Sequence, residues 1–201
     1  REVLMSCGAM LDRLQVAASY YGWCTAVDRY PARRDHDSYH ASITIHRADA
    51  VTDHDRALGE AIARRRTDRL VFEPPEPWAD LRRLLDGVVD GGAVHLDVID
   101  DSGRPALADA SVLSTFDDSP DNALRCGEVL SRVLLECTAA GFATCTLTHM
   151  IEVAAGRETV RTITGRRAEP QVLVRVGQVP EVNPEAGRTP RRAVTDILHV
   201  H

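Results

Sequence analysis

Apolar residues recur at steps of three or four along Leu4, Cys7, Leu11, Leu14 and Ala18, and again along Cys126, Leu130, Val133, Cys137 and Ala140. Each run predicts an amphipathic helix with one apolar stripe. The segments Cys7 to Trp23 and Cys126 to Phe142 align without gaps, with five identities in 17 positions: the Cys-Gly pair, Leu11/Leu130, Arg13/Arg132 and Gly22/Gly141. A small Cys-Gly pair permits close helix–helix approach, and the glycine at 22 or 141 is a natural C-terminal stop. Two matching central helices suggest two related halves packed about a pseudo-twofold axis. The alternative is two merely similar amphipathic helices.

Between the copies, TDHDRALGEAIARRR opens with Thr52-x-x-Asp55, resembling a capping box, and carries Ala57, Leu58, Ala61 and Ile62 on one face. TDRLVFEPPEP reads as a Pro-rich connector. WADLRRLLDGVVDGG returns to helix through Leu81, Leu84, Leu85 and Val88, with Gly91-Gly92 at its end. AVHLDVID alternates as a half-buried strand, and VLSTF and PQVLVRVGQ are further strands, the second apolar enough to be central. RETVRTITG predicts a short helix, and RTPRRAVTDILHV a C-terminal arm with a basic start and an apolar end. Helices and strands interleave, which predicts an α/β or α+β domain around one sheet.

Composition narrows the classes. The 201 residues carry 24 Lys+Arg against 30 Asp+Glu, a formal net charge of −6, which argues against general nucleic-acid binding. No apolar run approaches the roughly 20 residues of a bilayer span. Five cysteines, Cys7, Cys24, Cys126, Cys137 and Cys145, form no CxxC pair and read as small apolar residues of a cytoplasmic protein. The helical pattern already runs through Arg1, so residues upstream are expected.

Three segments could carry chemistry. Arg64-Arg65-Arg66-Thr67-Asp68-Arg69 ends a helix and enters a loop. The helix dipole accounts for one or two of these cations. A hydroxyl and a further arginine in the loop suit a phosphate monoester, whose charge of about −1.5 to −2 matches guanidinium donors. Arg188-Thr189-Pro190-Arg191-Arg192 is a second basic cluster, followed by Val194, Ile197 and Leu198, which would dock the arm. Gly141 to His149 is small and hydroxyl-rich, fit for close approach to a flat ring or for an ordinary helix-to-strand turn. His36, His40 and His46 lack the spacing of a metal site, and Cys145 has no paired base in sequence.

The ordered set REVLMSCGAML, RRRTDRLVFEPPEP, LRCGEVLSRVLLECTAAGFATCTLTH, PQVLVRVGQ and RTPRRAVTDILHV resembles the actinobacterial Acg-type branch of the FMN-dependent nitroreductase superfamily over nearly the whole chain. The resemblance implies an α+β fold with a nitroreductase-like mixed sheet flanked by helices, built as two fused pseudo-symmetric halves. Residues 1–50 would be the remainder of the first half and 51–201 the second. It implies FMN as cofactor, its phosphate held by Arg65, Arg66 and Thr67 with Arg69 following, and by Arg191 or Arg192 from the arm. Thr146, Leu147 and Thr148 would line the ring. It names no catalytic side chain and no metal.

Two departures accompany the resemblance. No PSxHNxQPW-type segment is present, and the long covering insertion expected before VLSTF is close to absent. The implied activity is NAD(P)H-dependent reduction of a small aromatic acceptor, a nitroaromatic or a quinone, by a monomer that mimics a nitroreductase dimer. The alternative is a flavin-sequestering or storage protein with little turnover, serving a stress response.

Overall fold

Two long helices cross at the centre of this computed structural model, which describes residues 1–30, 41–69, 71–74, 78–89, 92–99, 110–178 and 192–196. Helix α1 spans Glu2–Tyr20 and helix α4 spans Pro120–Ala139. Both lack side chains where they meet. A Cβ on Gly8 would lie 1.9 Å from the Leu124 carbonyl oxygen, and one on Gly127 would lie 2.0 Å from that of Met5. Gly8 and Gly127, like Met5 and Leu124, stand at the same spacing as Cys7 and Cys126, so the two contacts exchange under the sequence repeat.

The residues after each helix repeat as well. Gly22 (φ 79°) turns the chain from α1 into strand β1 (Trp23–Arg29), and Gly141 (φ 87°) turns it from α4 into β5 (Ala143–Leu147). A side chain is disfavoured in that left-handed region, so glycine is the residue that permits the turn. β1 pairs antiparallel with β2 (Ala41–Arg47), and β5 with β6 (Glu169–Gly177). β3 (Val94–Ile99) and β4 (Ala110–Thr115) complete a four-stranded antiparallel sheet in the order β3-β4-β6-β5. β6 is therefore interior, as its apolar character predicts.

Three buried clusters hold the layers together. Val112, Leu113, Val172 and Leu173 of the sheet pack with Met5, Cys126, Ile151 and Val160, the last on α5 (Ala154–Thr164). Leu81 and Leu85 of α3 (Trp78–Val88) meet Val133, Cys137, Val174 and Val176. Leu58 and Ala61 of α2 (Asp53–Arg64) meet Val16 and Leu135. The Thr52 hydroxyl accepts from the Asp55 backbone N–H, and the Asp55 carboxylate accepts from the Thr52 N–H, the reciprocal box foreseen in the sequence. The Thr52 hydroxyl also donates to that carboxylate at 2.6 Å, and this bond, followed by the one from the Thr52 N–H, stabilises the charged form and pulls the Asp55 pKa below its usual range.

Some expectations change. Leu14 is 48% exposed, because the face of α1 turned inward is Met5, Gly8, Leu11, Asp12 and Val16. Strands β1 and β2 lie outside the sequence expectations: β1 alternates in burial although WCTAVDR does not alternate in hydropathy, and β2 is exposed from Ile45 onward. The connector is no simple loop. Phe72 is buried against Gly177, Arg175 lies 4.8 Å over its ring, and Glu73 and Gln178 exchange backbone hydrogen bonds of 2.9 Å. The segment expected to carry an insertion, residues 100–109, and most of the C-terminal arm lie outside the described residues.

Gly127→Ala is expected to cost at least about 3 kcal/mol in urea unfolding, since the methyl can only be admitted by separating two backbones. Gly87→Ala in α3 has open space and should stabilise by up to about 1 kcal/mol. Equal effects at the two positions would mean the helices do not touch at Gly127.

Candidate functional site

α2 ends at Arg64, and Arg65 (φ −58°, ψ 128°) opens an extended segment. That segment runs beside the outer edge of β5. Thr67 pairs with Thr144 in a parallel bridge, and the Asp68 N–H donates to the Thr144 carbonyl oxygen at 2.9 Å. It is the one parallel pairing among the described strands and bridges. Two segments separated by more than seventy residues, the arginine run and the hydroxyl-rich stretch after α4, thereby become neighbours.

Successive side chains of an extended segment project to opposite faces. A cleft of about 660 Å³ shows the consequence: it is lined by Arg64, Arg66 and Asp68, by Asp80, Leu81 and Leu84 of α3, and by Gly141, Phe142 and Ala143. Arg65, Thr67 and Arg69 alternate with the cleft-lining members of that segment, and Thr67 is bridged to Thr144 on β5. The structure thus divides the sequence-predicted residues. Arg66 faces the cleft, its guanidinium 3.7 Å from the Asp68 carboxylate. Arg65 and Thr146 are half-buried, while Thr67 and Arg69 are exposed.

Leu147 ends β5, paired with Leu173 of β6, with its side chain packed against the core of Val172 and Leu173. Thr148 starts a 3-10 turn, and its carbonyl accepts from the Ile151 N–H at 3.0 Å. Arg192 is exposed, ahead of the 3-10 turn Val194–Asp196, and Arg191 lies outside the described residues. Thr144 belongs to the same threonine row but stood in the sequence only as part of a hydroxyl-rich run. Its buried hydroxyl has no hydrogen-bond partner among the described residues.

A second cleft, about 820 Å³, lies over the helix crossing and contains none of the predicted residues. Its wall is a charged stripe on α4 whose members reach different elements. Arg132 donates to Asp12 of α1 at 2.9 and 3.0 Å, Glu128 accepts from Arg29 of β1 at 2.7 and 2.8 Å, and Glu136 lies 3.1 Å from His54 of α2. Burial pushes the Asp12 carboxyl up despite the opposing pull of Arg132. Helical periodicity conceals such residues, because a buried charge reads as a break in an apolar stripe.

The cysteines are all free. Burial drives the thiols of Cys126 and Cys137 to about 12, so neither is a thiolate near neutrality. A disulfide-exchange reagent at pH 8 should therefore modify exposed Cys24 quickly and reach Cys126 and Cys137 only after unfolding. Comparable rates at all three would show that the α4 face is open.

No family model matches the chain. Over 271 aligned positions it is 35% identical to "Putative NAD(P)H nitroreductase acg" of Mycobacterium tuberculosis, a match covering all of this chain and 81% of that protein. It is 33% identical to "Uncharacterized protein Rv3127" of the same organism, over all of this chain and 78% of the relative. The aligned span exceeds the 201 residues here, so the relatives carry segments within it that this chain lacks. Among solved structures, a nitroreductase with bound FMN from Bacteroides fragilis superposes with a TM-score of 0.56 at 13% identity, covering 72% of this chain and 98% of that one. The NADPH:FMN oxidoreductase of Vibrio harveyi complexed with NAD+ gives 0.54 at 17% identity, over 72% and 76%. The fold is that of the nitroreductases. Within that class, the chain belongs to the Acg-type branch of the superfamily.

Proposed function

We propose that this chain binds FMN on the Arg65–Thr67–Arg69 face beside β5 and uses NAD(P)H to reduce a small aromatic acceptor, a nitroaromatic or a quinone. The observation that carries the reading is the Thr67–Thr144 pairing, which sets the arginine run against the threonine row. The names of its M. tuberculosis relative and of its FMN-bound structural neighbour point the same way.

The donor set fits the group. A phosphate monoester carries about −1.5 to −2 charges near neutrality, and charge-assisted bonds from guanidinium are about twice as strong as neutral ones. Arg65 and Thr67 hold that phosphate, with Arg191 or Arg192 closing on it from the C-terminal arm. Arg69, two residues along the same face, offsets negative charge on the ring, which Thr146, Leu147 and Thr148 border. When bound, FMN supplies two-electron hydride chemistry, and the protein positions it and sets its electrostatics. No side-chain acid or base is assigned. Arg66 is held apart by Asp68 on the cleft side.

In the same reading residues 1–50 are the remainder of one nitroreductase-like half and 51–201 the other. The exchanging contacts of Gly8 and Gly127 support it. Such a chain is a monomer that mimics a nitroreductase dimer.

Replacing Arg65 by Ala should weaken FMN binding by about 1.5–3 kcal/mol, roughly ten- to a hundredfold, while riboflavin binding changes little. Arg66→Ala should leave both ligands within about twofold. Titration of flavin fluorescence measures all four affinities. Equal losses for FMN and riboflavin, or a greater loss at Arg66 than at Arg65, contradict the assignment. NADPH oxidation with a nitroaromatic then separates turnover from storage: bound FMN without turnover would favour a sequestering protein.

A further inference from the structure

Thr144 is 2% exposed, and its hydroxyl has no partner among the described residues while its carbonyl oxygen is engaged by the Asp68 N–H. Other threonines in this fold are satisfied close to home. Thr138 donates to the Leu134 carbonyl at 2.7 Å, Thr159 to that of Ala155 and Thr162 to that of Glu158, each at 2.9 Å. Those residues sit on helices, where the carbonyl one turn back is within reach. Thr115, at the end of β4, donates to the Asp117 carbonyl at 2.7 Å, whereas Thr144, inside β5, makes no such bond among the described residues. A buried hydroxyl kept unpaired is costly where valine would fit the same volume.

Its neighbour across the bridge is Thr67. Bridged residues on adjacent strands project to the same face, and threonine pairs across strands form side-chain hydrogen bonds. Thr144 is sealed from solvent and Thr67 is exposed, so only Thr67 can meet a ligand directly. A threonine that donates its O–H to an anion still has lone pairs free to accept. The arrangement needed is a relay, in which Thr144 O–H donates to Thr67 Oγ1 and Thr67 O–H donates to a phosphate oxygen. Each bond polarises the next.

We propose that Thr144 is a positioning residue for the phosphate of the bound flavin nucleotide, acting through Thr67 and orienting its hydroxyl toward the ester. The proposal rests on the flavin reading above. It explains why the hydroxyl-bearing residue is kept at a buried strand position, and why its partner stands where the arginine run first touches the sheet.

The test is a double-mutant cycle on the full chain, with FMN and riboflavin as paired probes. Thr144→Val should weaken FMN about five- to tenfold and leave riboflavin within twofold, whereas Thr144→Ser should retain wild-type preference. In a Thr67→Val background, Thr144→Val should change FMN affinity no further. The midpoint of thermal unfolding of flavin-free T144V should equal or exceed that of wild type, since no bond is lost. Parallel loss of FMN and riboflavin, an undiminished effect in the Thr67→Val background, or a lower flavin-free midpoint each overturns the relay. A wild-type chain with no preference for FMN over riboflavin overturns both the relay and the phosphate reading beneath it. Preserved preference in T144V overturns the relay alone.

Discussion

Contact between the backbones of α1 and α4 is the constraint from which the rest of the structure follows. Gly8 and Gly127 remove the two side chains that would hold the helices apart, and each helix places its neighbour's carbonyl where a methyl would go. With the axes that close, Val16 and Leu135 form one floor, on which Leu58 and Ala61 seat α2. The end of α2 then launches the arginine segment along β5, while the end of α4 launches β5 itself through Gly141. Both walls of the candidate site are thus set by the same crossing.

Charge is sorted around that crossing rather than spread over it. The α4 stripe of Glu128, Arg132 and Glu136 reaches β1, α1 and α2 in turn, each time with an opposite or ionisable partner. Buried pairs of this kind repay their desolvation only in part, so their main effect is to penalise any other docking of the elements they join. Sorting recurs at the site. Alternation along the extended segment sets Arg66 beside Asp68 and puts Arg65 and Arg69 in the other set. An arginine cluster that looks uniform in sequence is physically two sets.

Much of this was legible beforehand, and what was not has identifiable causes. The central helices, their glycine stops, the capping box at Thr52 and the interior position of β6 follow from periodicity and local chemistry, which act over a few residues. The exposure of Leu14 and the burial of Asp12 depend on which helix face meets a partner more than a hundred residues away. Strands β1 and β2 alternate weakly and carry charged and polar residues, so they stay below the level at which a strand stands out. For the candidate site, the sequence offered the basic and hydroxyl-bearing segments but not that they lie side by side. Separating Arg65 from Arg66, or seeing Thr144 behind Thr67, requires the register between two segments that no local pattern encodes.

The central claim is that the arginine face beside β5 is a flavin nucleotide site. Its most direct measurement is the visible spectrum of the purified chain after mixing with FMN and removing free ligand by gel filtration. Flavin absorbance near 450 nm eluting with the protein, shifted from that of free FMN, is the predicted result. Colourless protein, with all the flavin in the small-molecule fraction, would contradict the account.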